Sequence, residues 1–314
     1  MKALVTGGAG FIASHLVDRL LLDGYEVEAL DNLTEGRKMN VEHLKRNPKF
    51  KFSEADLKDA RKIESLVAGK DAIFHLAAHA NIRTSLVDHT ADLENNVVGT
   101  LNILEAMVKH KVNDLIFAST SALYGEATIK PTPENYGPIQ TSLYGASKLA
   151  SESFAEAFTE FSDVRFWAYR FSNVIGERCR RGVIWDFVNK LKRNSKELEI
   201  LGNGKQSKEY IYVADCIEGI VTGYKKSHNK SNIFNLAVED NKTVDQVADI
   251  VIRELGLTRV KRKYTGGPRG WIGDIPEVTL DISKLKSLGW KPQFTAEQAI
   301  TKTTRWTAAE IRAK

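Results

Sequence analysis

The 314-residue chain contains only two cysteines, Cys179 and Cys216, far apart and in no Cys-x-x-Cys or Cys/His spacing. That excludes a disulfide framework, offers no zinc pattern, and points to a reducing, cytoplasmic location. No apolar run approaches the ~20 residues of a membrane span. Met1 and Lys2 lead straight into an apolar strand without signal-peptide architecture, so no membrane partner is expected. No stretch is Pro-, Ser- or Gln-rich, which excludes a long disordered tail or linker. The excess of positive over negative charge is also small. Lys and Arg number 45 against 40 Asp and Glu, a net +5 that suits a phosphate ligand but is too small and scattered for a nucleic-acid partner.

What is present is apolar material, 42% of the chain, enough for one large core or two modest ones. Short apolar runs at 3–6, 25–30, 50–52, 72–76 and 115–118 alternate with segments of helical period at 15–22, 59–67 and 97–110. Repeated βα of this kind predicts an α/β doubly wound parallel sheet, the Rossmann arrangement. After Asn173 the pattern turns irregular, with a helix near 184–193, a strand near 198–201, a loop through Gly202 and Gly204, a strand at 233–237 and an amphipathic helix at 244–255. We therefore expect a discontinuous partition. Residues 1–173 with about 209–239 form a dinucleotide-binding domain, and about 174–208 with 240–314 form a smaller C-terminal α/β substrate lobe.

The first strand runs into Gly7-Gly8-Ala9-Gly10-Phe11-Ile12-Ala13, with a helical pattern at once behind it. Glycines there allow a tight turn and close approach of backbone to a pyrophosphate, whose charge meets free N–H groups at the helix start. Asp31 closes the second strand about 20 residues later, where a carboxylate accepts from ribose hydroxyls and repels a 2′-phosphate. NAD is favoured over NADP on that ground, with Arg37 and Lys38 the nearby cations that an NADP reading would use. Asp56, with Leu57 after the third strand, is either an adenine neighbour or a helix N-cap.

Thr120 follows the fifth strand, at the carboxyl end of the sheet, where such folds bind ligands. Tyr144 and Lys148 stand four apart, on one face of a helix beginning near Leu143. A protonated Lys148 and the helix N-terminus would favour the phenolate, letting Tyr144 act as base towards a sugar hydroxyl while Thr120 orients or relays the proton.

At these residues the chain resembles the extended short-chain dehydrogenases, and within them the UDP-glucose 4-epimerase group of NAD-dependent sugar-nucleotide enzymes. The likeness spans nearly the whole chain. It includes Thr6-Gly7-Gly8-Ala9-Gly10-Phe11-Ile12, Asp31-Asn32-Leu33, His75-Leu76-Ala77-Ala78, Asn96 with Gly99-Thr100, Ser119-Thr120-Ser121, Tyr124-Gly125, Tyr144-Gly145-Ala146-Ser147-Lys148 and Arg170-Phe171-Ser172-Asn173-Val174. The resemblance implies that the glycine loop, Asp31, Asn32, Asp56, Leu57, Leu76, Ala77, Ala78, Asn96, Ser119, Tyr144, Lys148 and Phe171 contact NAD. It implies that Thr120, Asn173, Val183, Lys208, Tyr210, Arg269 and Asp274 contact a nucleotide-sugar substrate, Arg269 by charge-assisted bonds to the phosphates. Two departures stand out: Lys replaces Arg at 208, and Trp271-Ile272 lengthens the family's Arg-x-Gly-Asp spacing. His75 and His79 are expected to be structural, with no metal site.

The residues after Thr120 separate the family's chemistries. Its 4,6-dehydratases carry Asp-Glu there, whereas this chain has Ser121-Ala122, which cannot titrate usefully. Dehydration and decarboxylation are thereby disfavoured, leaving inversion at C4 of a UDP-hexose through a 4-keto sugar. The alternatives are a ketosugar reductase or a non-catalytic dinucleotide sensor. Val278 stands where larger side chains in some relatives limit space at the sugar's C2, so N-acetylated hexoses are expected to fit. Helices 97–110 and 149–161 carry apolar faces that in the family pair as a four-helix homodimer contact.

Overall fold

The computed structural model of the chain describes residues 1–81 and 84–312. The N-terminal apolar run forms β1 (Lys2–Thr6) and turns through the glycines into α1 (Phe11–Leu22). There follow β2 (Glu26–Asp31), β3 (Phe50–Glu54), α2 (Ala60–Val67), β4 (Ala72–His75), α3 (Gly99–His110), β5 (Asp114–Thr120), α4 (Leu143–Phe161) and β6 (Arg165–Phe171). The chain continues as β7 (Asn173–Ile175), α5 (Gly182–Arg193), β8 (Glu197–Ile200), β9 (Ser207–Tyr212), α6 (Val213–Lys226), β10 (Ser231–Leu236), β11 (Asn241–Thr243), α7 (Val244–Glu254), β12 (Lys261–Tyr264), α8 (Ser283–Ser287) and α9 (Ala296–Arg312).

Seven strands form one sheet in the order β10-β6-β5-β4-β1-β2-β3. β1 pairs in parallel with β2 on one side and β4 on the other, Leu4 lying opposite Glu28 and Ile73. Chain order reverses between those neighbours, which makes the carboxyl ends of β1 and β4 the switch point of a doubly wound fold. Ala3, Leu4, Val5, Ile73 and Phe74 are fully buried, as a strand covered on both faces requires. Leu4, Ile73, Leu115 and Phe117 from the sheet join Ile63, Leu66, Ile103, Leu104 and Met107 from α2 and α3 in one core.

Helix starts are chemically marked. Asp59 caps α2 by accepting from Lys62 N, Ser142 caps α4 by accepting from Gly145 N, and Thr243 with Gln246 forms a capping box on α7. Helix α1 is not among these: its N-cap is Gly10, no side chain caps it, and no acid lies in its first turn; α3 and α5 likewise lack a side-chain cap and a first-turn acid.

The chain divides into two compact units: residues 1–125, 138–170 and 220–234, and residues 126–137, 171–219 and 235–314. The exchange points fall at 170 and 220 where the sequence suggested 173 and 209, and the short segment 126–137 groups with the second unit. That unit holds a three-stranded sheet, β11-β9-β7, and the parallel pair β12-β8. The expected helix from Val97 begins earlier, as a π-helical stretch over Leu93–Val98 that continues into α3.

Within the first unit, Arg170 of β6 is clamped on Glu152 of α4, with Nε 3.1 Å from Oε1 and Nη2 2.6 Å from Oε2, while Nη1 donates to the Tyr124 hydroxyl at 2.8 Å. Glu152 is 1% exposed and Arg170 6%. Removing one partner of such a pair strands the other charge, at a cost of ~3–5 kcal/mol. Glu152→Ala is therefore expected to lower unfolding free energy by about that amount in urea titrations; a loss under ~1 kcal/mol would contradict this reading.

Candidate active site

The glycine turn is built for close approach. Gly7 sits at φ +68, and a Cβ there would lie 2.9 Å from both Ala77 N and Ala77 Cα, so only glycine lets the β1 turn pack on the loop that follows β4. Asp31, at the end of β2, is 6% exposed and accepts from Ala9 N at 3.0 Å and from Leu33 N at 2.8 Å. Burial raises its carboxyl above the usual range, with the two backbone bonds pulling the other way. Phe11 and Ile12, the first residues of α1, are half-buried. Asp56 does not cap α2; it accepts from Asn32 Nδ2 at 3.0 Å and from Lys58 N at 2.9 Å, tying the ends of β2 and β3 together. Leu57 is buried in the core. Of the two cations near Asp31, Lys38 is paired with Glu54 at 2.9 Å.

A second network fixes the loop after β4, which carries Leu76, Ala77 and Ala78. His75 is fully buried, its Nδ1 2.7 Å from Thr6 Oγ1 and its Nε2 3.0 Å from Thr100 Oγ1. Thr6 Oγ1 in turn accepts from Ala77 N. Burial, with the nearby Lys148 charge, pushes the imidazole down to about 3, so it is neutral throughout the working range. The Asn96 carboxamide accepts from His79 N at 2.7 Å and donates to His79 O at 3.0 Å and Ser147 Oγ at 2.8 Å. Both its amide protons thus tie the 79 loop to α4. His79 has a carboxylate partner that spacing did not reveal: its Nδ1 lies 2.8 Å from Asp92. Among the described residues no cluster of His, Cys, Asp or Glu has a metal-holding arrangement.

Thr120 ends β5 and caps the short 3-10 turn over Ser121–Tyr124, accepting from Ala122 N at 3.1 Å. That bond uses one lone pair and leaves the hydroxyl proton to donate elsewhere. Tyr144, half-buried, and Lys148, 1% exposed, fall in the first turns of α4 at i and i+4. The Lys148 Nζ lies 3.8 Å from the Phe117 ring centroid. Burial pulls this amine down to about 7, with Glu152 one turn away pulling it back up. The sequence expectation rests on a protonated Lys148, and desolvation works against that charge near neutral pH.

Apart from Thr120, the expected substrate residues belong to the second unit, on β7, α5, β9 and the 265–281 segment. Asn173 of β7 donates to Glu209 O at 3.3 Å, and Phe171 and Tyr210 are buried. Burial and the nearby Asp274 push the Tyr210 phenol far up. Val183 is half-buried in the first turn of α5, and Val278 N donates to Ser207 O. Lys208 pairs with Asp274 at 2.5 Å, and Arg269 pairs with Glu126. Arg269 and Asp274 belong to one turn, Asp274 accepting from Gly270 N at 2.9 Å, while the Arg269 guanidinium is engaged by Glu126. Sequence reasoning also passed over Glu209, whose side chain is fully buried and accepts from Leu280 N through both oxygens.

The model of the NAD dependent epimerase/dehydratase family matches residues 3–237. The chain belongs to that family. A putative UDP-glucose 4-epimerase from Methanocaldococcus jannaschii is 36% identical over 310 residues, covering 96% of this chain and 97% of that protein. UDP-glucuronic acid decarboxylase 1 from Danio rerio is 30% identical over 319 residues, covering 99% of this chain and 73% of that protein. The structure of UDP-glucose 4-epimerase from Thermotoga maritima with UDP-glucose aligns with a TM-score of 0.90 at 31% identity, covering 99% of this chain and all of that one. The cofactor of this epimerase/dehydratase is NAD, and the residues present fit it. An uncapped helix start follows a turn that admits no Cβ, a buried carboxylate ends β2, and the buried Ser119 Oγ at the end of β5 has no protein partner.

Burial raises the Glu209 carboxyl from 4.5 to about 8. Between those values the folded chain holds a proton that the unfolded chain has lost, so Glu209's contribution to stability is full below about pH 4.5 and is lost as pH rises through about 8. Glu209→Gln should therefore gain on the wild type between pH 5 and pH 9, by on the order of a few kcal/mol in urea midpoints. A difference that does not vary with pH would contradict the assignment.

Proposed function

We propose that this family member inverts C4 of a UDP-hexose, interconverting UDP-glucose and UDP-galactose, with Tyr144, Lys148 and Thr120 as its catalytic residues. The observation that carries this reading is the composition of the strand end. Thr120 and the Tyr144-Lys148 pair supply what alcohol oxidation needs, and the two positions directly after Thr120 are Ser121 and Ala122, where dehydration would call for a pair of carboxyl groups. Tyr144 takes the proton of the C4 hydroxyl, Thr120 donates a hydrogen bond to the same oxygen, and Lys148 in its charged form lowers the phenol's proton affinity. NAD supplies a reversible two-electron acceptor that takes the C4 hydrogen and later gives it back. The 4-keto sugar, lacking any neighbouring acid–base group to carry it further, recovers its hydrogen, and return to the opposite face after rotation about the diphosphate link inverts the centre. The proton held on Tyr144 then returns to the new hydroxyl, so the cycle closes with no net redox change.

Purified protein given UDP-galactose without added NAD is expected to form UDP-glucose, resolved by NMR of the anomeric protons. Tyr144→Phe should lower the rate at least ~100-fold, the usual worth of a positioned acid–base group. No conversion, even with NAD supplied, would reject the proposal.

We propose further that the chain works as a homodimer. Support comes from apolar side chains left exposed on two neighbouring helices of the first unit: Val98 and Val108 at 40%, Phe154 at 43% and Phe161 at 69%. Light scattering at micromolar concentration should give twice the monomer mass of 35.1 kDa; a monomer would overturn this.

A further inference from the structure

The residues that lengthen the spacing between Arg269 and Asp274 form a braced turn. Asp274 holds it from both carboxylate oxygens, Oδ2 accepting from Gly270 N at 2.9 Å and Oδ1 from Lys208 Nζ at 2.5 Å. Asp274 N closes the turn on Trp271 O at 3.1 Å. Behind it, Gly266 N donates to Gly202 O and Gly202 N to Thr265 Oγ1, so the segment is tied to the end of β8. Held this way, Trp271 keeps 37% of its surface exposed, with Lys208 Nζ 5.2 Å from the ring centroid.

The two cations of this region differ in what they can offer. Lys208 has a side chain only 14% exposed, is paired with a carboxylate that is 3% exposed, and sits against the indole. Turning it towards a phosphate would break a buried ion pair. Arg269 and its partner Glu126 are each 45% exposed, so a diphosphate can take the guanidinium from the carboxylate at little cost. A large aromatic surface then stands two residues from the available cation, the combination that a planar base carrying phosphates requires.

Resting on the nucleotide-sugar reading above, we infer that Trp271 is the stacking platform for the nucleobase of a nucleoside diphosphate, with Arg269 on its phosphates. Lys208 and Asp274 are positioning residues that hold the platform.

The test is calorimetric titration of UDP into the full-length protein and three variants. Base–aromatic stacking of ordinary strength predicts that Trp271→Ala and Trp271→Leu each weaken UDP binding roughly tenfold or more, while Trp271→Phe, which keeps an aromatic face, stays within about threefold of wild type. UDP should also change the tryptophan fluorescence of the wild type, and most of that change should vanish in Trp271→Phe. The inference is overturned if the leucine variant binds UDP as the wild type does, or if the phenylalanine variant is as weak as alanine. It is equally overturned if UDP affinity is unchanged and only UDP-galactose affinity falls, because the indole would then meet the sugar. A wild type that binds no UDP sinks the nucleotide-sugar reading itself and this inference with it, an outcome distinct from wild-type binding that ignores Trp271.

Discussion

Lys148 carries its amine into the packing between α4 and the sheet, where it is 1% exposed and 3.8 Å from the Phe117 ring. An ammonium in that position has lost nearly all its hydration, and its cost has to be offset by the surroundings. The offset is the buried Glu152 one helical turn away, and Glu152 is tolerable in turn because Arg170 clamps it and Tyr124 accepts from Arg170. Four side chains from α4, β6 and the turn after β5 are thereby fixed as a unit. Tyr144 inherits its position from the helix that this unit docks.

The same dependence runs through the neutral groups. His75 is buried between Thr6 and Thr100, and through Thr6 it sets the backbone of Ala77, which packs against Gly7 so closely that no Cβ fits. Asn96 ties the next stretch of that loop to Ser147 of α4. The carboxyl ends of β1 and β4 and the helices α3 and α4 are thus joined by hydrogen bonds whose loss would each leave a buried polar group unsatisfied. Such a region resists small displacements, which suits a site that must hold a nicotinamide ring against a sugar carbon.

Much of the first unit was legible because its signals are local. Glycines between an apolar strand and a helical pattern, a carboxylate closing β2, and Tyr144 four before Lys148 each carry their structural meaning in a few adjacent residues. The second unit was less legible, for reasons visible in particular elements. The buried face of α9 includes Thr303, Thr304 and Thr307, and the hydroxyls of the first two bond back to the carbonyls of Ala299 and Ile300, so a packed face reads as polar. Helix α6, which crosses from the second unit into the first, carries Gly219 and Gly223, which lower its helical signal; a Cβ at 219 would lie 2.7 Å from Leu236 Cδ1. The engagement of Lys208 with Asp274, like that of His79 with Asp92, joins residues whose contact no spacing announces. Burial was the other hidden quantity, since desolvation is the largest cause of the shift of Lys148 to about 7 and of Glu209 to about 8.

The proposed inversion requires that the hydrogen removed from C4 return to the same carbon without leaving the protein. Its direct measurement uses UDP-galactose deuterated at C4, turned over in the presence of excess free NAD, with the label followed by NMR and mass spectrometry of the UDP-glucose formed. The account predicts complete retention of deuterium at C4. Product with protium at C4, or label appearing in free cofactor or solvent, would contradict it.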